Sequence, residues 1–283
     1  MCIRDSNYAI QGMHEPGSTF KLASMLAYIE QTNRSVDDSV DTGDGEFRFY
    51  SETMKDHKPG GYGKITIKEI FEKSSNIGVA MLIEETFKQK PQNFLSYLKK
   101  FGFSDDFDFQ IFGSSKPQIK NYSDSTWSKV SLPWIAHGYE LMLTPLHTLS
   151  FYNAIANGGY YIKPKIVNKI KNANSIIKEF KTASPEKIAT KNSINTMKLL
   201  LEGVVENGTA DNIKHSNYKI AGKTGTAKKV LNGKYINRYY TSFAGFFPSE
   251  DPKFSCIVVT VSYTHLRAHE TREDLVCRLL LEK

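Results

Sequence analysis

The sequence predicts an α+β fold, an antiparallel sheet flanked by helices, and three observations carry that expectation. Apolar residues recur at helical spacing in several segments of the first two-thirds of the chain. The last third shifts to short strand-like runs set apart by Gly, Asn and Pro turns. Helical segments followed by a run of strands joined through tight turns are the pattern of an α+β domain.

The elements follow in order. Glu15-Pro16-Gly17 breaks the chain just ahead of an apolar helical run, Phe20 to Ile29. That places Ser18 in a first helical turn, where free backbone N–H groups and the helix dipole favour developing negative charge. Gly60 to Gly63 makes a turn, and Ile65 to Glu72 is expected as a helix leading into Ser74. Thr144-Pro145 opens a helix running to about Ala156, closed by Asn157-Gly158-Gly159. Another helix spans Ser193 to Glu206 and stops at Asn207-Gly208. Tyr218 to Ala221, Thr241 to Phe247 and Phe254 to Val261 read as strands, and Asn232-Gly233 is a hairpin signal between them. An edge strand carrying Lys223 to Thr226 is expected, and such an edge can pair with an extended peptide.

Composition sets wide bounds. The 283 residues are enough for one large domain or two modest ones, with 40% hydrophobic and 24% charged residues, as in ordinary globular chains. The formal net charge of +7 suits an anionic polymer or membrane surface, or nothing beyond a mildly basic exterior. No block of Lys and Arg interleaved with aromatics appears, which argues against nucleic acid as a partner. The longest apolar runs, such as Cys256 to Val261, are strand-length and too short to span a bilayer. Cys2, Cys256 and Cys277 lack metal-type spacing; His265 and His269 are four apart but have no third ligand. Asp41 to Glu46 reads as a polar turn rather than a calcium loop. No cofactor and no metal are expected.

Both ends depart from this logic. Met1 to Ser6 shows neither capping nor strand pattern, and Ser262 to Lys283 resembles translated sequencing-adapter read-through at the ends of fragmentary gene predictions. The expected domain is therefore residues 7–261, with 1–6 and 262–283 non-native. A real amphipathic helix over Ala268 to Glu282 is the alternative for the second of these. Setting both ends aside removes equal numbers of basic and acidic residues and leaves Cys256 as the one cysteine of the domain.

Three short motifs carry the chemistry: Ser18-Thr19-Phe20-Lys21, Ser74-Ser75-Asn76 and Lys223-Thr224-Gly225-Thr226. A serine hydroxyl is a poor nucleophile until a base removes its proton, and a lysine three residues on, along the same helical turn, is placed to be that base. Singly, each has a plain alternative: a surface helix start, a chance tripeptide, or a strand end with a bulge. Together and in this order they indicate serine-based acyl transfer, and they match the signature of penicillin-binding proteins and related β-lactamases.

The chain resembles the transpeptidase domain of a class B penicillin-binding protein over about residues 7 to 261. The similarity runs through Glu15-Pro-Gly-Ser-Thr-Phe-Lys21, Phe71-Glu-Lys-Ser-Ser-Asn-Ile-Gly78 and Ala221-Gly-Lys-Thr-Gly-Thr-Ala227. Gly138-Tyr-Glu140 with Leu143-Thr-Pro-Leu146 and Ala156-Asn-Gly158 is similar to the septal, cell-division branch. The resemblance implies the penicillin-binding transpeptidase/serine β-lactamase-like fold. It implies that Ser18 attacks the penultimate D-Ala carbonyl of a peptidoglycan stem peptide, with Lys21 as base, its pKa lowered by buried cationic neighbours. Ser74 would relay a proton to the leaving amine, and Asn76 would hold the substrate amide and Lys21. Lys223, Thr224, Gly225 and Thr226 would bind the terminal carboxylate, and the N–H groups of Ser18 and Thr226 would form the oxyanion hole. It further implies β-lactam binding, divisome membrane partners including a glycosyltransferase, and a place at the periplasmic face of the inner membrane through an N-terminal anchor.

Three rival readings share the motifs. A class A β-lactamase needs a glutamate-activated water, and no Glu-x-x-Leu-Asn segment lies between Ser74 and Lys223. A β-lactam sensor domain is disfavoured by the septal-type segments, and an inactive scaffold by the complete catalytic set. Trp127, Trp134, Tyr139 and Tyr152 are candidates for either cleft lining or core.

Overall fold

The computed structural model describes residues 7–104, 106, 107, 109, 113–231, 234–261 and 275–282. α1 (Tyr8–Gln11) and a 3-10 turn over Gly17–Phe20 lead into α2 (Lys21–Gln31). Every residue of α2 from Lys21 to Tyr28 is buried. A helix enclosed on all sides is an interior element, and α2 packs between the neighbouring helices at the centre of the main core.

A small lobe follows. β1 (Ser39–Asp41) pairs antiparallel with β4 (Lys64–Thr66), and between them lies the hairpin β2 (Glu46–Phe49) and β3 (Glu52–Lys55). α3 (Ile67–Glu72) starts two residues later than the sequence suggests. Residues 64–66 are taken by pairing with β1, and Thr66 caps the helix in a reciprocal box with Glu69. α4 (Asn76–Phe87) is capped by Ser75, whose hydroxyl accepts from the Gly78 N–H at 2.8 Å. Phe49 and Met54 of the hairpin pack on Ile77 and Ala80 of α4 as a satellite cluster.

α5 (Pro91–Lys100), β5 (Gln118–Ile119), α6 (Ser131–Ala136) and β6 (Leu141–Met142) then run to α7 (Pro145–Ala156). α7 has the expected Thr144 cap and Pro at its first position. β7 (Tyr160–Tyr161) pairs with β10 (Glu186–Lys187), and the hairpin β8 (Lys169–Lys171) and β9 (Ile176–Glu179) lies between them, exposed along its length. α8 (Lys191–Glu206) begins earlier than Ser193 because Thr190 supplies the cap.

The main sheet closes the chain: β11 (Ala221–Leu231), β12 (Lys234–Phe247), β13 (Phe254–Val261) and β14 (Leu275–Glu282), antiparallel and in that order. β11 starts at Ala221, so Tyr218 to Ile220 lie outside it. β12 extends well before Thr241. Asn232 and Gly233 fall outside the described residues, and the flanking register pairs Leu231 with Lys234. His265 and His269 also fall outside them. Residues 275–282 form a strand, not part of the amphipathic helix considered for 268–282. The period-two alternation divides the sheet into a buried face, bearing Ala221, Ala244, Phe246, Ile257 and Val259 against α7 and α8, and a less covered one, on which Phe254 is exposed. β11 is the edge strand of this sheet among the described residues, as expected. The fold is thus helices against a main antiparallel sheet, as the sequence predicts, with five two-stranded pairs among the described residues earlier in the chain that the sequence pattern does not reveal.

Candidate active site

The nucleophile turn lies directly on the edge strand. Gly17 sits at φ +56°, and a Cβ there would come 2.7 Å from the Thr226 carbonyl oxygen. A Cβ on Gly225 would meet Ser242 Oγ at 2.6 Å and Thr19 Cγ2 at 2.8 Å. Only glycine at these two positions lets the turn bearing Ser18 touch β11. Beneath the turn, the Thr19 hydroxyl donates to the Pro16 carbonyl at 2.9 Å, and the buried Tyr152 hydroxyl donates to the Thr19 carbonyl at 2.9 Å.

Lys21 projects from the first turn of α2 and is wholly buried. Its Nζ donates to the Ser74 carbonyl at 2.6 Å, to Asn76 Oδ1 at 2.7 Å and to Ser74 Oγ at 3.2 Å. These three acceptors match the three donors of an ammonium group. Ser18 is not one of them, so receiving a proton from Ser18 requires that Lys21 first be neutral. Burial makes that accessible by lowering its pKa to about 7, while the Asp56 carboxylate acts in the opposite direction. Desolvation, rather than the cationic neighbours expected from the sequence, is therefore the dominant cause.

Ser74 adopts φ +58°, a left-handed conformation uncommon for serine, which turns its carbonyl and hydroxyl together toward Lys21. Two carboxylates to which the sequence assigns no site role hold the segments around the cleft. Asp56, just after β3, accepts from Ser75 Oγ at 2.8 Å and from the N–H groups of Asn76 and Ile77 at 2.6 and 3.1 Å. Glu15 accepts from the Glu140 N–H at 2.9 Å and the Tyr235 hydroxyl at 3.1 Å, tying the Gly138–Glu140 segment and β12 to the nucleophile turn. Asp56 sits in no periodic pattern and at no motif spacing, and Glu15, although it opens the Glu15–Lys21 stretch, carries no assigned site role there. Their roles arise from contacts between segments distant in sequence.

Asn76 uses both ends of its amide, Oδ1 on Lys21 and Nδ2 on the Lys55 carbonyl at 2.8 Å. One Nδ2 hydrogen is left for a substrate. Lys223 is wholly buried, with Nζ 3.3 Å from the Thr224 carbonyl and over the Phe71 ring. Burial, and then the charge on Lys21, holds its pKa well below the usual lysine range. Thr224 and Thr226 alternate to the opposite side of β11, and the Thr224 hydroxyl meets that of Thr209 at 2.6 Å.

A cleft of about 550 Å³ joins the parts. Ser18, Ser74, Asn76, Thr224, Gly225 and Thr226 line it, with Asp56 and Tyr139. Of the other aromatic candidates, Tyr152 is core and Trp134 packs on the satellite cluster. Trp127 packs against the main core. Among the described residues no group of three or more His, Cys, Asp or Glu is placed to hold a metal ion, and no helix is long and apolar enough to cross a membrane. Chemically, the cleft offers a serine hydroxyl, a buried lysine that deprotonates near neutrality, a second serine hydroxyl on that lysine, and an edge strand able to receive a peptide.

The chain is similar to known proteins in both sequence and fold. The sequence profile of the penicillin binding protein transpeptidase domain matches residues 4–274. Stage V sporulation protein D of Bacillus subtilis is 29% identical over 255 residues, covering 88% of this chain and 38% of that protein. Peptidoglycan D,D-transpeptidase FtsI of Escherichia coli K12 is 27% identical over 261 residues, covering 89% and 40%. The chain thus spans about two-fifths of the length of these relatives. Penicillin binding protein 3 from Mycobacterium tuberculosis, solved with aztreonam, superposes with a TM-score of 0.78 at 26% identity, covering 89% of this chain and 57% of that one. The transpeptidase domain of Burkholderia pseudomallei penicillin-binding protein 3 shares the fold, with a TM-score of 0.77 at 24% identity, covering 95% and 77%. The chain belongs to the penicillin-binding protein transpeptidase family.

Proposed function

We propose that the chain carries the catalytic domain of a serine-type peptidoglycan D,D-transpeptidase that cross-links stem peptides at the division septum. The observation that supports this most directly is the set of bonds from Lys21 to Ser74 and Asn76. They bring two motifs more than fifty residues apart into the cleft that Ser18 and β11 share. Every residue assigned to the reaction lies within residues 7–261.

The chemistry follows from the residues. Neutral Lys21 takes the Ser18 proton as the hydroxyl oxygen attacks the carbonyl carbon of the penultimate D-Ala. The backbone N–H groups of Ser18 and Thr226 face the resulting oxyanion, a contribution of about 3–4 kcal/mol per donor in such sites. Collapse breaks the D-Ala–D-Ala amide bond. The proton passes from Lys21 through Ser74 Oγ to the departing amine, leaving the peptide esterified to Ser18. The amine of a second stem peptide then attacks the ester by the reverse proton path, restoring the serine. Thr224 and Thr226 orient the donor's terminal carboxylate, whose arrival favours the ammonium form of the buried Lys223 and so gains a charged partner. A β-lactam, whose strained amide occupies the same place, acylates Ser18. Divisome membrane proteins, a glycosyltransferase among them, are the partners that fit this role, at the periplasmic face of the inner membrane beyond a single N-terminal anchor.

Labelling with a fluorescent penicillin, mapping the adduct and following its loss tests the reading. A long-lived adduct on Ser18, together with transfer of a D-Ala-D-Ala donor to an amine acceptor, is the expected result. Rapid hydrolysis of the adduct overturns it in favour of a β-lactamase. A stable adduct without peptide transfer overturns it in favour of a sensor. No adduct on Ser18 overturns acylation altogether.

A further inference from the structure

Asp56 stands outside the three motifs yet bonds two residues of the second of them, Ser75 and Asn76, and the Ile77 that follows. Its Oδ2 accepts from Ser75 Oγ at 2.8 Å, and its Oδ1 accepts from the N–H of Asn76 at 2.6 Å and of Ile77 at 3.1 Å. Ser75 Oγ in turn accepts from the Gly78 N–H at 2.8 Å, so one carboxylate and one hydroxyl together satisfy three of the free N–H groups at the start of the twelve-residue α4. This capping matters because of what precedes it. Ser74 is held at φ +58°, and a residue remains in that region only where its surroundings enforce it. The same turn supplies all three acceptors of Lys21.

We propose that Asp56 is a positioning residue of the acylation centre, clamping the Ser74–Asn76 turn against Lys21 and setting the charge that Lys21 experiences. The proposal rests on the transpeptidase reading above, in which Lys21 must lose a proton before Ser18 can react. Two effects on Lys21 then oppose each other. Burial favours the neutral amine, and the nearby carboxylate favours the ammonium. Lys223 from β11 and His137 after α6 are the other ionisable groups on which the Lys21 charge acts, in both cases against their protonated forms. Lys55, His57, Tyr62 and Lys73 line the cleft with Asp56. Of the groups facing Lys21, Asp56 is the one that carries negative charge. It therefore has two separable jobs: its hydrogen bonds hold the turn, and its charge keeps the resting lysine protonated and bound to Ser74 and Asn76.

The two jobs separate in the pH profile of acylation. The test is the second-order rate of Ser18 labelling by a fluorescent penicillin on the full chain, measured from pH 5 to 9 for the wild type, D56N and D56A, with melting curves alongside. D56N keeps an oxygen for the Asn76 and Ile77 N–H groups and loses the charge. Its acid limb should move to lower pH by about one unit, the size expected of a nearby opposite charge. D56A releases the turn, and its rate should fall about 10- to 100-fold across the whole range, as expected when a catalytic group is misplaced by an ångström or so. A D56N profile that falls in height without moving its limb overturns the proposal, since a purely structural residue behaves that way. A D56A rate equal to wild type overturns it as well. So does a D56N chain that no longer folds, because a clamp on one turn leaves the rest of the fold intact. If the wild type itself takes no label, the transpeptidase reading fails instead, and the two failures are thereby distinguished.

Discussion

Lysines occur in two very different settings in this chain. Lys169, Lys171 and Lys178 lie on the β8–β9 hairpin, exposed to solvent beside the equally exposed Ile170, Ile176 and Ile177. Lys21 and Lys223 are enclosed behind residues that line the cleft, each with no exposed surface. The residue type is the same; the hydration is not. An ammonium group stripped of water loses its preference for the charged form, so the enclosed pair acquires chemistry that the hairpin lysines do not have. The formal charge of +7 counts both settings alike, and for that reason it located nothing.

Replacing Lys21 breaks this contrast most severely. K21M should lower the Ser18 acylation rate by about 10²- to 10⁴-fold, the range of a lost general base, while K169A/K171A/K178A should leave it within twofold. Stopped-flow or gel labelling with a fluorescent penicillin measures both, and comparable losses in the two proteins would abolish the distinction.

The second expectation concerns pH. Lys21 has its pKa lowered to about 7 and must be neutral to receive the serine proton. Acylation should therefore rise about tenfold per pH unit up to neutrality and level off above it. The stability consequence has a definite sign. A lysine with a lowered native pKa binds fewer protons folded than unfolded between the two pKa values. The wild type should thus gain stability relative to K21M as pH rises from about 7 toward the ordinary lysine value. Chemical denaturation at several pH values checks this; a difference that shrinks with rising pH would contradict it.

A smaller effect is expected at the contact between turn and strand. G17A places a Cβ 2.7 Å from the Thr226 carbonyl oxygen at a left-handed φ. It should cost about 1–3 kcal/mol of stability, read by denaturant melts, and reduce labelling of Ser18 by moving the turn off β11.

The smallest effects belong to a buried histidine and to the hairpin. His137 lies against Trp134 and Tyr139, and neither ring nitrogen has a hydrogen-bond partner. Burial, followed by the charge on Lys21, lowers its pKa to about 3, so it is neutral at working pH. An aromatic of similar shape without polar atoms removes that unsatisfied demand. H137F should be neutral or stabilising by up to about 1 kcal/mol, with acylation retained; a large loss of labelling would assign the imidazole a part in the reaction. On the hairpin, I177S should change stability by less than about 0.5 kcal/mol.

How much of this was legible in the sequence depends on the range of the interaction involved. α7 appeared where its Thr144 cap, Pro145 and Asn157-Gly158 stop signals placed it, because caps act within a single turn. α3 was read two residues too early. Its true start is fixed by pairing between residues 64–66 and β1, which no local pattern around Ile65 reveals. The three motifs were readable as chemistry, and the edge position of Lys223 to Thr226 followed from the order of the strands. The roles of Asp56 and Glu15 were not legible because each acts on partners far along the chain: Asp56 has no signature of its own, and Glu15 is readable only as the start of the stretch that leads to Ser18.

The sequence by itself determined which groups are present and in what order: a serine with a lysine one turn later, a second serine with an asparagine, and a strand with two threonines. Those are covalent facts, and the helix and turn signals around them are short-range. Tertiary structure decided what the groups are able to do. Enclosure of Lys21 sets where it deprotonates, the Asp56 clamp sets where its acceptors point, and the close approach of Gly17 to Thr226 sets where Ser18 meets β11. Desolvation and through-space contact depend on the whole packed chain, and so they are settled only once it has folded.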